Sequence, residues 1–122
     1  MAERDLTVLL RGMEPVLHDL PHGFAVWEGA LPEGVFATVA EAEGLTVVAP
    51  LDRLGAGEPW ARISLTVHSD LAAVGLTAAL ATALARDGIS CNVIAGLYHD
   101  HLFVPWDRRG DAMAALRGLA HV

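Results

Sequence analysis

The sequence predicts an α+β protein whose helices pack on one face of an antiparallel sheet. Residues 61–68 alternate apolar and polar side chains, which is typical of a strand with one buried face. Residues 69–88 carry apolar side chains at helical spacing instead. Two strand-like segments, 89–96 and 99–105, and a final helical segment complete the order β-α-β-β-α.

The elements of the first half are shorter. Asp5 is predicted to cap a short helix within residues 5–13. The segments 15–20 and 24–29 are predicted to form a hairpin around the turn at residues 21–23.

Residues 35–50 are predicted to form two extended pieces separated at Glu43 and Gly44. The segment LDRLGAGEP, residues 51–59, is predicted to be a short turn or helix followed by a loop. It is the best candidate for a boundary, which divides the chain into lobes 1–57 and 58–122.

The helices of the second half have recognisable ends. Ser69 or Asp70 is predicted to cap the first of them, and Gly88 is predicted to end it in a left-handed conformation. Asp107 is predicted to cap the last helix. The apolar stripe of that helix consists of Met113, Leu116 and Leu119.

The order β-α-β-β-α is that of a ferredoxin-like βαββαβ unit without its final strand. The first half has a strand to spare, so we expect the two lobes to share or exchange strands.

Composition excludes several classes of partner. The formal net charge is −7, and the eight cationic residues are arginines scattered along the chain. The chain therefore lacks the basic surface that nucleic acid or an anionic membrane requires. The N-terminus has no signal-peptide pattern and no apolar run approaches a membrane span, so we expect a cytoplasmic protein. The high apolar content, 53%, predicts apolar surface covered by a partner.

The segment ARDGISCNVIAGLYHDHLFVPWDRRGDAMAALRGL resembles the strand-strand-helix half of ACT domains, above all those of aspartate-kinase regulatory domains and cytosolic amino-acid sensors. With EAEGLT (41–46) and TVHSDLAAVGLTAA (66–79), the whole chain resembles small bacterial stand-alone proteins of two ACT-like lobes. The resemblance implies a tandem ACT fold, a homodimer and amino-acid binding at the loop between the first strand and the first helix.

This resemblance and the residue types suggest a ligand site. A helix N-terminus offers free amides to a carboxylate, so the loop carrying Ser69, Asp70, Val74 and Gly75 is the first candidate. In the sensors that the chain resembles, the acidic position matching Asp100 faces the ligand. The structural alternatives are helix caps for Ser69 and Asp70, helix packing for Gly75, and a strand-end salt bridge or a helix cap for Asp100.

Two further residues are candidate contacts. Asn92 could bind an amide or a carboxylate, or could simply bond to its sheet neighbour. Glu43 could bind an amine in a cleft between the lobes, or could simply form the turn with Gly44.

The segment GLYHDHLFVP places two histidines around Asp100. On a strand, His99 and His101 share one face and Asp100 lies on the other with Leu102 and Val104. A metal would need a third ligand, such as His68. We predict no metal, no cofactor and no catalytic residues.

The sequence therefore favours a regulatory module, not an enzyme, that binds a small polar ligand such as an amino acid. The alternatives are a dimerising interaction module that docks to a partner enzyme without a ligand, and a small enzyme or metal-dependent protein that uses His68, His99 and His101.

Overall fold

The computed structural model describes residues 2–120. It contains two compact units. Unit 1 combines Met1–His18 with Ala61–Val122, and unit 2 comprises Asp19–Trp60. These units are defined by spatial contact, whereas the lobes 1–57 and 58–122 follow the sequence and remain a prediction.

Unit 1 contains a four-stranded sheet in the order β1-β5-β7-β6. Its strands are β1 (Pro15–Leu17), β5 (Trp60–Leu65), β6 (Asn92–Ala95) and β7 (Asp100–Pro105). With α3 (Leu76–Arg86) and α4 (Arg109–Leu119), this is the ferredoxin-like arrangement predicted for the second half.

The missing fourth strand is β1, which comes from the N-terminal segment. It pairs antiparallel with β5, in the register Pro15↔Leu65 to Leu17↔Ile63. The predicted hairpin between residues 15–20 and 24–29 is therefore wrong, although both segments contain strands. A short turn made the local pairing plausible, but β1 instead fills the open edge of the sheet beside β5.

The short helix α1 (Leu6–Arg11) begins as predicted. The Asp5 carboxylate accepts a hydrogen bond from the Val8 amide at 3.1 Å. Leu9 and Met13 are fully buried, so this segment contributes to the core of unit 1 as well as its sheet.

The helix α3 starts later than predicted. Its N-cap is Gly75, not Ser69 or Asp70. Gly75 has φ of +97°, and a right-handed helix cannot continue through a left-handed residue. Residues 70–74 therefore lie outside the helix, with a turn at Leu71 and Ala72, and the Asp70 carboxylate accepts a hydrogen bond from the Ala72 amide at 2.7 Å.

The end of α3 agrees with the prediction. Gly88 is left-handed, with φ of +68°, and its amide donates to the Ala85 carbonyl. The Ile89 amide donates to the Leu84 carbonyl at 3.0 Å. Leu84 and Ile89 are both buried, which is the apolar contact typical of this helix ending.

Asp107 does not cap the last helix. It lies within a 3-10 turn, Trp106–Arg108, that connects β7 directly to α4. The proline ring fixes φ of Pro105 at a value suited to the residue before a helical turn. The turn therefore begins at Trp106, and Asp107 lies inside it. Met113 and Leu116 face the core as predicted, and Leu119 packs against it.

The core of unit 1 lies between its sheet and its helices. Alternation in β5 buries Ala61, Ile63 and Leu65, as the sequence predicts. The helices contribute Leu76, Leu80, Leu84, Ala112, Met113 and Leu116.

Unit 2 is a three-stranded antiparallel sheet in the order β3-β4-β2. Its strands are β2 (His22–Trp27), β3 (Ala37–Glu41) and β4 (Gly44–Pro50). The single-turn helix α2 (Leu51–Leu54) follows β4. Val47, Val48 and Ala49 are buried in this unit.

The helices within residues 2–120 are all too short to cross a bilayer. The longest have 11 residues, whereas a span needs about 20.

Candidate functional site

A small cavity lies at the end of unit 1 where β5 leads into α3. Its volume is about 90 Å³. Its walls come from the loop before α3, the first turn of α3, the last residue of β6 and the first residue of β7. The lining residues are Ser69, Asp70, Leu71, Ala73, Leu76, Thr77, Ala95 and Asp100.

Asp100 is the buried acidic residue of this cavity. It is the first residue of β7, its side chain shares the buried face with Leu102 and Val104, and it is 9% exposed. The Ser69 hydroxyl donates to its Oδ2 at 3.2 Å. No ion pair to Asp100 occurs within residues 2–120.

Asp70 is the second carboxylate of the cavity, and it forms an ion pair with a residue that does not line the cavity. Its Oδ2 lies 3.1 Å from Arg4 Nε, and the Ala72 amide donates to its Oδ1. The Ala72 hydrogen bond and then Arg4 lower the pKa of the Asp70 carboxyl, so Asp70 is anionic at neutral pH.

The N-terminal segment fixes this wall. The Glu3 amide donates to the His68 carbonyl at 3.0 Å, and the Asp70 amide donates to the Glu3 carbonyl at 2.9 Å. Sequence reasoning missed Glu3 and Arg4, because they are about 65 residues away from the loop and no local pattern joins the two segments.

The first turn of α3 adds hydrogen-bond donors. No side chain caps this helix, and Leu76 and Thr77, its first two residues, line the cavity. Their amides are among the donors that a helix leaves without an internal acceptor. The cavity therefore combines carboxylates with the partial positive charge of a helix N-terminus.

The structure brings together Ser69, Asp70 and Asp100 among the predicted ligand contacts. Gly75, the N-cap of α3, and Val74, which is 84% exposed, are next to this loop in sequence but are not among the residues that line the cavity.

Two other predicted contacts are not part of the cavity. Asn92 opens β6 opposite Phe103, whereas Ala95 lies opposite Asp100, about 10 Å further along the strand. Glu43 lies exposed in the β3–β4 turn of unit 2, outside the residues that line the cavity.

The histidines considered for a metal have other neighbours. His68 lies beyond the end of β5, and the centroid of its ring is 5.3 Å from that of Tyr98 and 6.5 Å from that of His99. His101 contacts Ser64. No three His, Cys, Asp or Glu side chains between residues 2 and 120 converge on a metal position.

The comparisons with known proteins agree with this architecture. Family models of the ACT domain match residues 56–118 and residues 1–53. The chain belongs to the ACT-domain family. ACT domains are regulatory rather than catalytic, and the predicted tandem ACT fold is confirmed.

Solved structures show the same fold. A Vibrio cholerae protein of unknown function, described as a possible transport protein, is 45% identical with a TM-score of 0.81, over 91% of this chain and 92% of that one. A protein from Agrobacterium tumefaciens is 20% identical with a TM-score of 0.69, over 83% and 84% of the two chains.

The aspartokinase alpha and beta subunits are 12% identical to this ACT protein, with a TM-score of 0.64 over 88% of this chain and 97% of theirs. At that identity the similarity concerns the fold alone. No curated protein matches the sequence significantly.

Proposed function

We propose that this ACT protein is a cytoplasmic regulatory module that binds a free amino acid at the cavity of unit 1. Its ammonium group would bind the Asp100 carboxylate, and its carboxylate would bind the free amides of α3. The observation that carries the proposal is the buried Asp100 in a cavity whose other side is an uncapped helix N-terminus.

A cation is the ligand group that Asp100 favours. A buried carboxylate is costly unless charge or several donors compensate it. Here the Ser69 hydroxyl is a neutral donor, and the lining residues include two carboxylates and no basic side chain. An ammonium or guanidinium group would supply the missing charge.

The cavity would hold only the part of the amino acid that carries its ammonium and carboxylate groups. Its volume, about 90 Å³, is well below the range of about 300–1,000 Å³ typical of ligand pockets. The rest of the ligand would extend past Leu71 and Val74, where a second copy of the chain could cover it. We therefore propose that the functional form is a homodimer.

A thermal-shift panel of the twenty amino acids and several polyamines on dialysed protein tests this proposal. A ligand at 100 times its Kd should stabilise the protein by about 2.7 kcal/mol. Asp100→Asn should abolish the shift. Asp52→Asn, which removes an exposed carboxylate of unit 2, should keep it.

The panel also tests the ammonium and the carboxylate of the ligand separately. An amino acid should bind, whereas the amine lacking its carboxylate should bind weakly, because the α3 amides would have no carboxylate to which they could donate hydrogen bonds. A shift that survives in Asp100→Asn, or an empty panel, would contradict the proposed site.

A second candidate function is docking to a partner protein without a ligand. It is favoured by four exposed apolar side chains on the loops beside the cavity: Leu71, Val74, Leu97 and Tyr98. An empty ligand panel, combined with a partner complex that Val74→Ser and Leu97→Ser disrupt, would support this function instead.

A further inference from the structure

A chain of polar side chains crosses the sheet of unit 1 away from the cavity. The Ser64 hydroxyl lies 2.7 Å from Nδ1 of His101 and 3.0 Å from Nε2 of His18. Ser64 belongs to β5, His101 to β7, and His18 directly follows β1. One hydroxyl therefore connects three strands of the sheet.

Whether Ser64 can hydrogen-bond to both histidines depends on how many of the two imidazole rings are protonated. Ser64 has one proton to donate and lone pairs to accept. With two neutral rings, or with one ring protonated, it can donate to one imidazole and accept from the other. With both rings protonated, both facing nitrogens are donors, and the Ser64 proton loses its acceptor.

Nearby positive charge also disfavours the state in which both rings are protonated. Arg62 of β5 already places a positive charge near His101. His99, the residue directly before β7, acts on His101 in the same direction. Burial, followed by Arg62, His99 and His18, lowers the pKa of His101, and Asp100 acts in the opposite direction. Two imidazolium groups beside Arg62 would repel one another across a half-buried site.

We propose that His18, Ser64 and His101 form a proton-sensitive clamp, which holds β1 on the sheet of unit 1 and releases it when both imidazoles are protonated. The neighbouring backbone explains why β1 is the part that moves. The His18 amide donates to the Arg62 carbonyl at 3.0 Å, directly after a strand of three residues. The clamp therefore joins the C-terminal end of a three-residue strand to the side chains of β5 and β7.

The direction of the pH effect follows from linkage. The unfolded chain protonates its histidines near pH 6.5, whereas the folded chain resists the second proton. Attachment of β1 should therefore be complete above pH 6.5 and weaken as the pH falls below it.

Amide hydrogen exchange on the full chain tests the clamp. The reporter is the His18 amide, and the internal reference is the Leu84 amide in α3, with both rates corrected for the intrinsic pH dependence. Between pH 7 and pH 5, the protection of His18 relative to Leu84 should fall, by up to about tenfold per pH unit for one linked proton.

Substitutions of single histidines show which side chains cause the loss of His18 protection at low pH. His18→Gln and His101→Gln should flatten the fall, because glutamine cannot take up the proton. His68→Gln, which changes an exposed histidine outside the clamp, should keep it. A fall that persists in His101→Gln, or a wild-type ratio that is the same at pH 7 and pH 5, would overturn the proposal.

The wild-type protein supplies a test that does not depend on the folding of variants. In an NMR titration, the second proton on the His18–His101 pair should arrive together with loss of the β1 amide signals. Two independent titrations near pH 6.5 with β1 still paired would overturn the clamp.

Discussion

At the scale of single residues, Gly75 separates a loop from a helix. Its φ of +97° is a conformation that costs an L-residue about 1–2 kcal/mol. A Cβ at this position would also lie 3.2 Å from Cδ2 of Leu6. Because of this left-handed residue, the preceding loop does not continue the helix, and its residues Asp70, Leu71 and Ala73 line the cavity.

Gly75→Ala should therefore lower the free energy of unfolding by about 1–2 kcal/mol, measured by urea denaturation. Gly110→Ala is the matched control. Gly110 lies in α4 with open space around it and no positive φ, so alanine there should be neutral or stabilising by up to about 1 kcal/mol. Equal effects at both positions would contradict this role for the Gly75 backbone.

At the scale of elements, the buried face of α3 ties the helix to the sheet. Leu80 is fully buried, and it belongs to the same core cluster as Ile63 and Val104 of the sheet and as residues of α4. The helix thus owes its stability to packing rather than to a side-chain hydrogen bond at its N-cap, which it lacks.

Leu80→Ala should destabilise the protein by about 2–5 kcal/mol, because it leaves a cavity in a closely packed core. Leu71→Ala removes a leucine that is 66% exposed, and should change stability by less than about 0.5 kcal/mol. Thermal or chemical denaturation of the two variants side by side measures the difference. Similar losses would mean that Leu80 is less enclosed than the structure indicates.

The elements also show what local sequence can reveal. Alternation in β5, the Asp5 cap and the Gly88 ending depend on near neighbours, and all three were predictable. The pairing of β1 was not, because its partner lies about 50 residues away and only the unfilled sheet edge selects it. The start of α3 was missed because Ser69 and Asp70 have the residue types of caps, whereas Gly75 sets the backbone.

The candidate site was also predictable only where it depends on near neighbours. The burial of Asp100 followed from its parity with Leu102 and Val104. The contact of Arg4 with Asp70 did not, because it joins segments remote in sequence.

At the scale of the whole molecule, unit 1 depends on the N-terminal segment. Residues 2–18 supply β1 and the buried side chains of Leu9 and Met13. Their loss would remove a strand and expose the core that they cover.

A chain that starts at residue 19 should therefore fail to form unit 1. We expect loss of cooperative unfolding by circular dichroism, and aggregation on a sizing column, relative to the full chain. A synthetic peptide of residues 2–18, added in excess, should restore part of the helical signal. A cooperative transition in the shortened chain without the peptide would contradict this dependence.

The discontinuous composition of unit 1 has a consequence during synthesis. β1 leaves the ribosome before its partner β5, which follows only after the whole of unit 2 has been made. The N-terminal segment must therefore wait unpaired while Asp19–Trp60 emerges, and its pairing closes a long loop late in folding. β1 is thus translated before the strands of unit 2 but pairs only after they have been made.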